Sequence, residues 1–346
     1  GVLHAQGFGH LTWSNGSPVP SPDSTLWDLA SLTKVVGTTA AVMRLLDERR
    51  IDLAAPVVYY LPRFTGGGKE RVTLRQLLDH TSGLPSYVEF FKLARTRDSA
   101  IALLYRTPLR RPSGVTAEYS DLNFLLLGLL GETVAAEPLE RFVTRMVLEP
   151  AGMTHSRYRP GESAAQSTAP TGQWRGHPIC CQVNDQNAAR MGGAAGHAGL
   201  FSTGTDLARY ARLWLNEGAL DGRRVFEAAT IRTFLAPDSA AATRLLGWER
   251  PPASSPGPGG PAGRHAPQRP SDSAYGQLLS LHAFGHTGWT GTLLWIDPDR
   301  DLFLVLLTNR SYAPRMGHSI RALRAIRGAL ADAVVREAAP LPSSPR

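Results

Sequence analysis

Ser31 and Lys34 stand three positions apart in the stretch DLASLTKVV, residues 28–36, where an apolar pattern of helical period begins. On a helix that spacing puts the two side chains one turn apart on one face, so the lysine ammonium reaches the serine hydroxyl. A serine acts as a nucleophile when a base takes its proton and a positive field favours the alkoxide. The ammonium and the N-terminal end of a helix both supply such a field. A lysine whose pKa is lowered by burial would also serve as the base. Lys34, Lys69 and Lys92 are the only lysines in the 346 residues, so one of three stands beside this serine. Taken alone, the spacing also fits an exposed pair at a helix start.

Two further stretches carry chemistry. In AEYSDLNFLLLG, Tyr119 precedes a helix start that Ser120 or Asp121 can cap, and a phenol held beside a lysine can carry protons. In FGHTGWTGTLLWIDP, His286, Thr287 and Gly288 lead into a strand whose glycines allow a ligand close to the backbone. Judged singly, Tyr119 reads as packing and His286 as a structural histidine. His282 and His286 are four apart, but in poor helix sequence with no carboxylate pair, so no metal site is expected. The stretch GGAAGHAG lacks the strand-then-helix context of a phosphate loop. It reads as close backbone packing, with His197 lining the cleft.

These residues need elements to hold them. The stretch from Ser31 to Arg50 is helix-compatible, with Val35, Val42, Leu45 and Leu46 on its apolar face and Asp28 placed as a cap. TLRQLLDH forms a second helix, stopped in HTSGLP by Gly83 and Pro85. Helices are expected over about 121–136 and 138–149. STGTDLARYARLWLNEG opens on a capping-box pattern, Thr203 to Asp206, and closes at Gly218. TLLWIDPDRDLFLVLLTN reads as an antiparallel hairpin turning at Asp297 to Asp301. In the helix SIRALRAIRGALADAVV, Ile320, Leu323, Ile326, Leu330 and Val334 form the stripe that would cover a sheet face. At the other end, GVLHAQGFGHLTW alternates like a strand.

The fold class is therefore α+β: an antiparallel β-sheet flanked by helices and built from both ends of the chain, with an inserted, mostly helical lobe. The sheet domain comprises residues 1–60 and 275–346, the lobe 61–249, and the Pro/Gly-rich stretch 250–274 a flexible surface loop. A cleft between lobe and sheet is the expected site.

Bulk properties exclude several classes. The formal charge of +8 comes almost wholly from arginines that are scattered rather than clustered with aromatics, so nucleic acid is not an expected partner. The strongest apolar run, FLLLGLL at 124–130, is far short of the roughly 20 residues of a membrane span and reads as a core helix. Cys180 and Cys181 are adjacent and give no disulfide framework. No signal peptide is visible, which leaves the compartment open.

An SxxK at a helix start, a YS pair, and an HTG near the C-terminal end occur in that order. With LLDHTSGLP, GHAGLFSTGTDLARYARLWL and FGHTGWTGTLLWIDPDRDLFLVLLTNR, the chain resembles the serine β-lactamase-like family over most of residues 1–335. That family includes class C β-lactamases, serine DD-carboxypeptidases and related esterases. The resemblance implies that Ser31 is acylated, that Lys34 is its partner in proton transfer, and that Tyr119 is the general base for acylation and then activates water. It places His286 where many members carry the lysine of a KTG triplet. Thr287 and Gly288 would hold the substrate along the strand edge, and the backbone N–H groups of Ser31 and Trp289 would form the oxyanion hole. It implies no cofactor or metal, a small-molecule or peptide substrate (an ester, a β-lactam or a D-amino-acid peptide), and a periplasmic or secreted location.

The chain departs from the pattern at Asp121, where many members have the Asn of YxN. A carboxylate only accepts hydrogen bonds, so it can steady Lys34 but cannot donate to a substrate carbonyl. It also opposes a phenolate at Tyr119. With His286 neutral, little fixed positive charge is left for a substrate carboxylate, which disfavours strong β-lactam hydrolysis. The expected function is acyl-enzyme hydrolysis of an ester or amide. The alternative is a penicillin-recognising sensor that acylates and barely turns over.

Overall fold

Ser31 follows a very short strand that turns abruptly into a helix. In the computed structural model, which describes residues 4–174, 177–237, 243–252, 273–312 and 319–338, β1 (Trp27–Asp28), β2 (Arg157–Tyr158) and β3 (Leu200–Ser202) form a small antiparallel sheet in the order β1-β3-β2. After β1, the Ala30 N–H donates to Asp28 Oδ1 at 2.8 Å and Ala30 takes φ +48°. Asp28 thus closes the turn before the helix instead of capping the helix itself. The chain then winds through a π-helical stretch, Lys34–Thr39, into α1 (Ala40–Asp47). Such widened turns are rare and concentrate at functional sites.

The middle of the chain is helical, and local signals explain its boundaries. Thr73 and Gln76 form a capping box ahead of α2 (Leu74–Leu78). Ser120 caps α3 (Asp121–Ala135), accepting from the Leu122 N–H. The expected helix over 138–149 is α4 (Leu139–Val143) continued by a π-helical stretch, Thr144–Leu148. At α5 (Gly204–Leu215) only half of the expected capping box forms: Thr203 accepts from the Asp206 N–H, but the Asp206 carboxylate accepts from the N–H groups of His155 and Ser156 instead. The run 124–130 is buried in α3. Among the described residues no single helix is long and apolar enough to cross a membrane.

The C-terminal sheet has the strand order β6-β5-β4, all antiparallel: β4 (Phe284–Thr287), β5 (Leu293–Asp297) and β6 (Leu302–Leu306). Along β5 the side chains alternate as a strand requires. Leu294 and Ile296 join the main core, while Leu293 and Trp295 face the smaller cluster beneath α6 (Ile320–Ala338). The main core runs from Val35 and Val36 through α3 to Trp214, Trp248 and Phe284.

Two expectations are corrected, and a third falls outside the described residues. Residues 4–13 carry no strand, because Gly9 takes φ +72° and breaks the extended backbone. Leu11 packs on Trp27 and Ala169, and its carbonyl accepts from Asn309 Nδ2, so the N-terminal stretch touches the sheet region without adding a strand. The stripe on α6 is rotated: Arg327, Gly328, Ala331 and Val335 are buried, Leu330 and Val334 of the expected stripe pack partly buried beside them, and Ile326 is 60% exposed. Gly328 decides this, because a Cβ there would lie 2.3 Å from the Ser273 carbonyl oxygen. The loop expected at 250–274 lies almost wholly outside the described residues.

GGAAGHAG does pack backbone on backbone. A Cβ on Gly196 would come within 1.9 Å of the Phe124 carbonyl oxygen in α3. Gly196→Ala is therefore expected to destabilise the fold by about 1–3 kcal/mol or more, as overpacking does, read as a lower urea midpoint. Gly161→Ala, at an open position, should leave the midpoint unchanged.

Candidate active site

Four segments distant in sequence converge on Ser31. Lys34 is fully buried, and its Nζ donates to Ser31 Oγ at 3.0 Å and to the His197 carbonyl at 3.1 Å, while Asp121 Oδ1 lies 2.8 Å away as an ion pair. Tyr119 Oη donates to the same Ser31 Oγ at 2.8 Å. The ammonium also lies 5.0 Å from the Tyr119 ring centroid. Ser31, Lys34, Tyr119 and Asp121 are thus one hydrogen-bonded and ion-paired cluster.

His197 corrects an expectation. Its side chain does not line the cleft; it is wholly buried, with Nε2 hydrogen-bonded to Asp185 Oδ1 at 2.8 Å, and only its carbonyl reaches the cluster. Asp121, Asp185 and His197 bring one donor atom each within 4.8 Å of the others. Those atoms are engaged by Lys34 and by one another.

A second network, centred on a residue to which sequence reasoning gave no role, holds Tyr119. His80 is buried at φ +64°, its ring centroid 4.8 Å from that of Tyr119. Its Nδ1 accepts from the Ser120 N–H and the Asn123 amide, each at 3.1 Å, and Asn123 Oδ1 accepts from Ser82 at 2.6 Å. Burial holds the His80 pKa well below the ordinary histidine value, so the ring is a neutral acceptor. Its signal was the histidine at the end of α2, within DHTSGLP.

On the opposite wall, His286 and Thr287 end a strand rather than lead into one, because the Gly288 N–H bonds the Thr292 carbonyl and closes a turn between β4 and β5. His286 Nδ1 is hydrogen-bonded to the Thr287 carbonyl at 2.8 Å, which leaves Nε2 a buried acceptor with no partner among the described residues. Burial lowers the His286 pKa to about 4, so the ring is neutral at pH 7. Its centroid stands 5.8 Å from that of Tyr119.

Gly288 permits the close approach of the two walls. A Cβ there would meet the Leu29 carbonyl oxygen at 2.6 Å and Ala30 Cβ at 3.3 Å. Thr290 and Thr292 hydroxyls donate to the carbonyls of Asp28 and Leu29 at 2.7 and 3.0 Å, lashing the turn to the residues before Ser31. Trp289 is 61% exposed, with the Arg310 guanidinium 4.6 Å from its ring. Neither the Ser31 N–H nor the Trp289 N–H meets an acceptor among the described residues.

The charge states follow from burial and neighbours. For Lys34, burial works against the charge, but the Asp121 carboxylate and then Tyr119 outweigh it, and the pKa lies above the ordinary lysine value. The reading of Lys34 as a base freed by burial is therefore corrected: in the resting state it is an ammonium. Burial pushes the Tyr119 phenol up to about 12; Lys34 opposes this and Asp121 adds to it. The resting site holds a charged lysine and a neutral tyrosine, both donating to Ser31.

A serine bonded by a buried lysine and a tyrosine, beside free backbone N–H groups and on a mixed fold with small antiparallel sheets, defines a serine hydrolase of the β-lactamase-like type. The chain belongs to the β-lactamase family, which its sequence matches over residues 1–329. It is 31% identical to an Escherichia coli K12 protein provisionally named a D-alanyl-D-alanine carboxypeptidase, covering 90% of this chain and 76% of that one. It is 30% identical to the N-acetylmuramyl-L-alanine amidase of Bacillus subtilis 168, covering 90% and 75%. Among solved structures, a family VIII carboxylesterase shares the fold with a TM-score of 0.67 at 24% identity, covering 95% of this chain and 87% of that one. The octameric penicillin-binding protein homologue of Pyrococcus abyssi does so with a TM-score of 0.67 at 19% identity, covering 95% and 71%.

Asp121 raises the pKa values of both Lys34 and Tyr119, so removing its charge lowers both and populates their base forms at lower pH. In Asp121→Asn the alkaline rise of kcat/KM should therefore move to lower pH than in the wild type. A profile that stays in place or moves to higher pH would contradict this assignment of charges.

Proposed function

We propose that the protein hydrolyses amide bonds of cell-wall-type peptides, and simple esters more loosely, through an acyl-enzyme on Ser31. The observation that carries this reading is the convergence of Lys34 Nζ and Tyr119 Oη on one serine oxygen, at 3.0 and 2.8 Å. Ser31 Oγ attacks the substrate carbonyl as its proton passes to Tyr119 Oη, in the form of the Lys34–Tyr119 pair that has lost one proton. The N–H groups of Ser31 and Trp289 take the developing oxyanion. Tyr119 then gives its proton to the leaving amine, the C–N bond breaks and the acyl-enzyme forms. For the second half-reaction Tyr119 takes a proton from water, which attacks the ester carbonyl, and Ser31 recovers a hydrogen on release.

The peptide substrate class is supported by the names of the two relatives, a carboxypeptidase of D-alanyl peptides and a muramyl-alanine amidase. Two site features weigh against strong β-lactam turnover. Asp121 cannot donate to an acyl-side carbonyl, and His286 offers no positive charge. Asp121 also motivates the sensor reading, in which acylation is followed by little turnover.

Side-by-side rates on a D-alanyl-D-alanine peptide, a muramyl-L-alanine peptide, a short-chain nitrophenyl ester and a chromogenic cephalosporin test these readings. Sustained turnover fastest on a peptide supports the proposal; a single burst with no steady state supports the sensor. A fluorophosphonate should label the wild type and not Ser31→Ala. Tyr119→Phe should lose about 10²–10⁴-fold in kcat/KM, the usual contribution of a proton carrier.

A further inference from the structure

The C-terminal helix reaches the oxyanion side of the site through one buried cation. Arg327 on α6 is 2% exposed, and its Nη2 donates to the carbonyls of both Gly288 and Thr292, each at 2.8 Å. Those two carbonyls bracket the turn that carries Trp289. The Gly288 oxygen belongs to the same planar peptide unit as the Trp289 N–H. In a trans peptide the C=O and N–H point in opposite directions, and no cis bond occurs among the described residues. Whatever fixes the Gly288 carbonyl toward α6 therefore aims the Trp289 N–H the other way, and Gly288 itself lies against Leu29 and Ala30, which lead to Ser31. The next carbonyl, that of Trp289, accepts from Arg310 Nη1 at 2.7 Å.

Packing alone does not explain Arg327. Its Nε is buried without a hydrogen-bond partner, and no carboxylate lies within ion-pair distance of it among the described residues. A buried cation held this way costs stability, and an apolar side chain would pack more cheaply. Burial lowers its pKa only to about 10, so the guanidinium stays charged at neutral pH. A charged donor on the Gly288 oxygen also polarises the peptide and strengthens its N–H as a donor.

We propose that Arg327 is a positioning residue for the oxyanion hole, orienting and polarising the Gly288–Trp289 peptide so that the Trp289 N–H meets the oxyanion formed when Ser31 attacks. This rests on the acyl-enzyme reading of Ser31. The test compares wild type, Arg327→Met and Arg327→Lys on a nitrophenyl ester and its thiono analogue, in which sulfur replaces the carbonyl oxygen and accepts hydrogen bonds poorly. An intact hole favours the oxygen ester. In Arg327→Met, kcat on the ester should fall about 10–100-fold with KM little changed, somewhat less than the loss of a whole oxyanion donor. The ester-to-thionoester rate ratio should fall with it, and Arg327→Lys should recover part of both. Equal slowing of the two substrates, or no slowing, overturns the proposal and leaves Arg327 a packing residue. If Arg327→Met does not fold, Arg327→Lys decides by the same ratio. Ser31→Ala run alongside separates the two claims: retained turnover there refutes the acyl-enzyme reading, whereas an inactive Ser31→Ala beside an unchanged ratio refutes only the role of Arg327.

Discussion

The structure is organised around one buried ammonium. Lys34 has no contact with solvent, so its charge must be met from within, and three groups meet it: Ser31 Oγ, the His197 carbonyl and Asp121 Oδ1. They come from three regions of the chain, the turn after β1, the glycine-rich loop before β3, and the first turn of α3. Taking a charge out of water costs several kcal/mol unless its partners are well placed. The lysine therefore demands that these regions be assembled accurately. Gly196 lets the loop lie on α3, Ser120 and His80 fix where α3 begins, and the left-handed Ala30 turns β1 into the π-helical stretch.

The opposite wall is held by two threonine hydroxyls and a second buried cation. The β4–β5 turn is tied forward to Asp28 and Leu29 by the threonine hydroxyls of Thr290 and Thr292, and backward to α6 by Arg327. Gly288 sits between these restraints with no room for a Cβ. Both sides of Ser31 are accordingly held by several hydrogen bonds from distant segments, the restraint that the proposed oxyanion hole would need to be in place before charge develops.

Much of this was legible in the sequence wherever the signal was local. The Ser31–Lys34 contact follows from helical spacing, α3 from a continuous apolar run with a serine cap, and the β5–β6 hairpin from two apolar runs around a polar turn. What was not legible depends on distant backbone. A carbonyl that receives a lysine has no side-chain signature, so His197 was read by its ring when its oxygen mattered. The face of α6 is only partly legible, because the buried line is rotated from the most apolar stripe, keeping Leu330 and Val334 at its margin and leaving Ile326 outside. A glycine contact and an arginine bonded to two carbonyls outweigh the hydrophobic gain from Ile326. The charge of Lys34 likewise depends on Asp121, 87 positions away in the chain and adjacent only in the fold.

Asp121 is where the family pattern and this chain part, and its effect reaches both halves of the catalytic problem. As an acceptor beside Lys34 it keeps the lysine charged; as an anion near Tyr119 it keeps the phenol protonated. In the resting site Ser31 Oγ therefore accepts from two donors and faces no base. A substrate that places a hydrogen-bond donor, rather than a carbonyl, against Asp121 would satisfy part of its negative charge and weaken its hold on both neighbours. An amide N–H on the acyl side of a peptide has that polarity, and a simple ester has none to offer there. Formation of the base thus depends on what meets the charge of Asp121, not on Lys34 and Tyr119 alone.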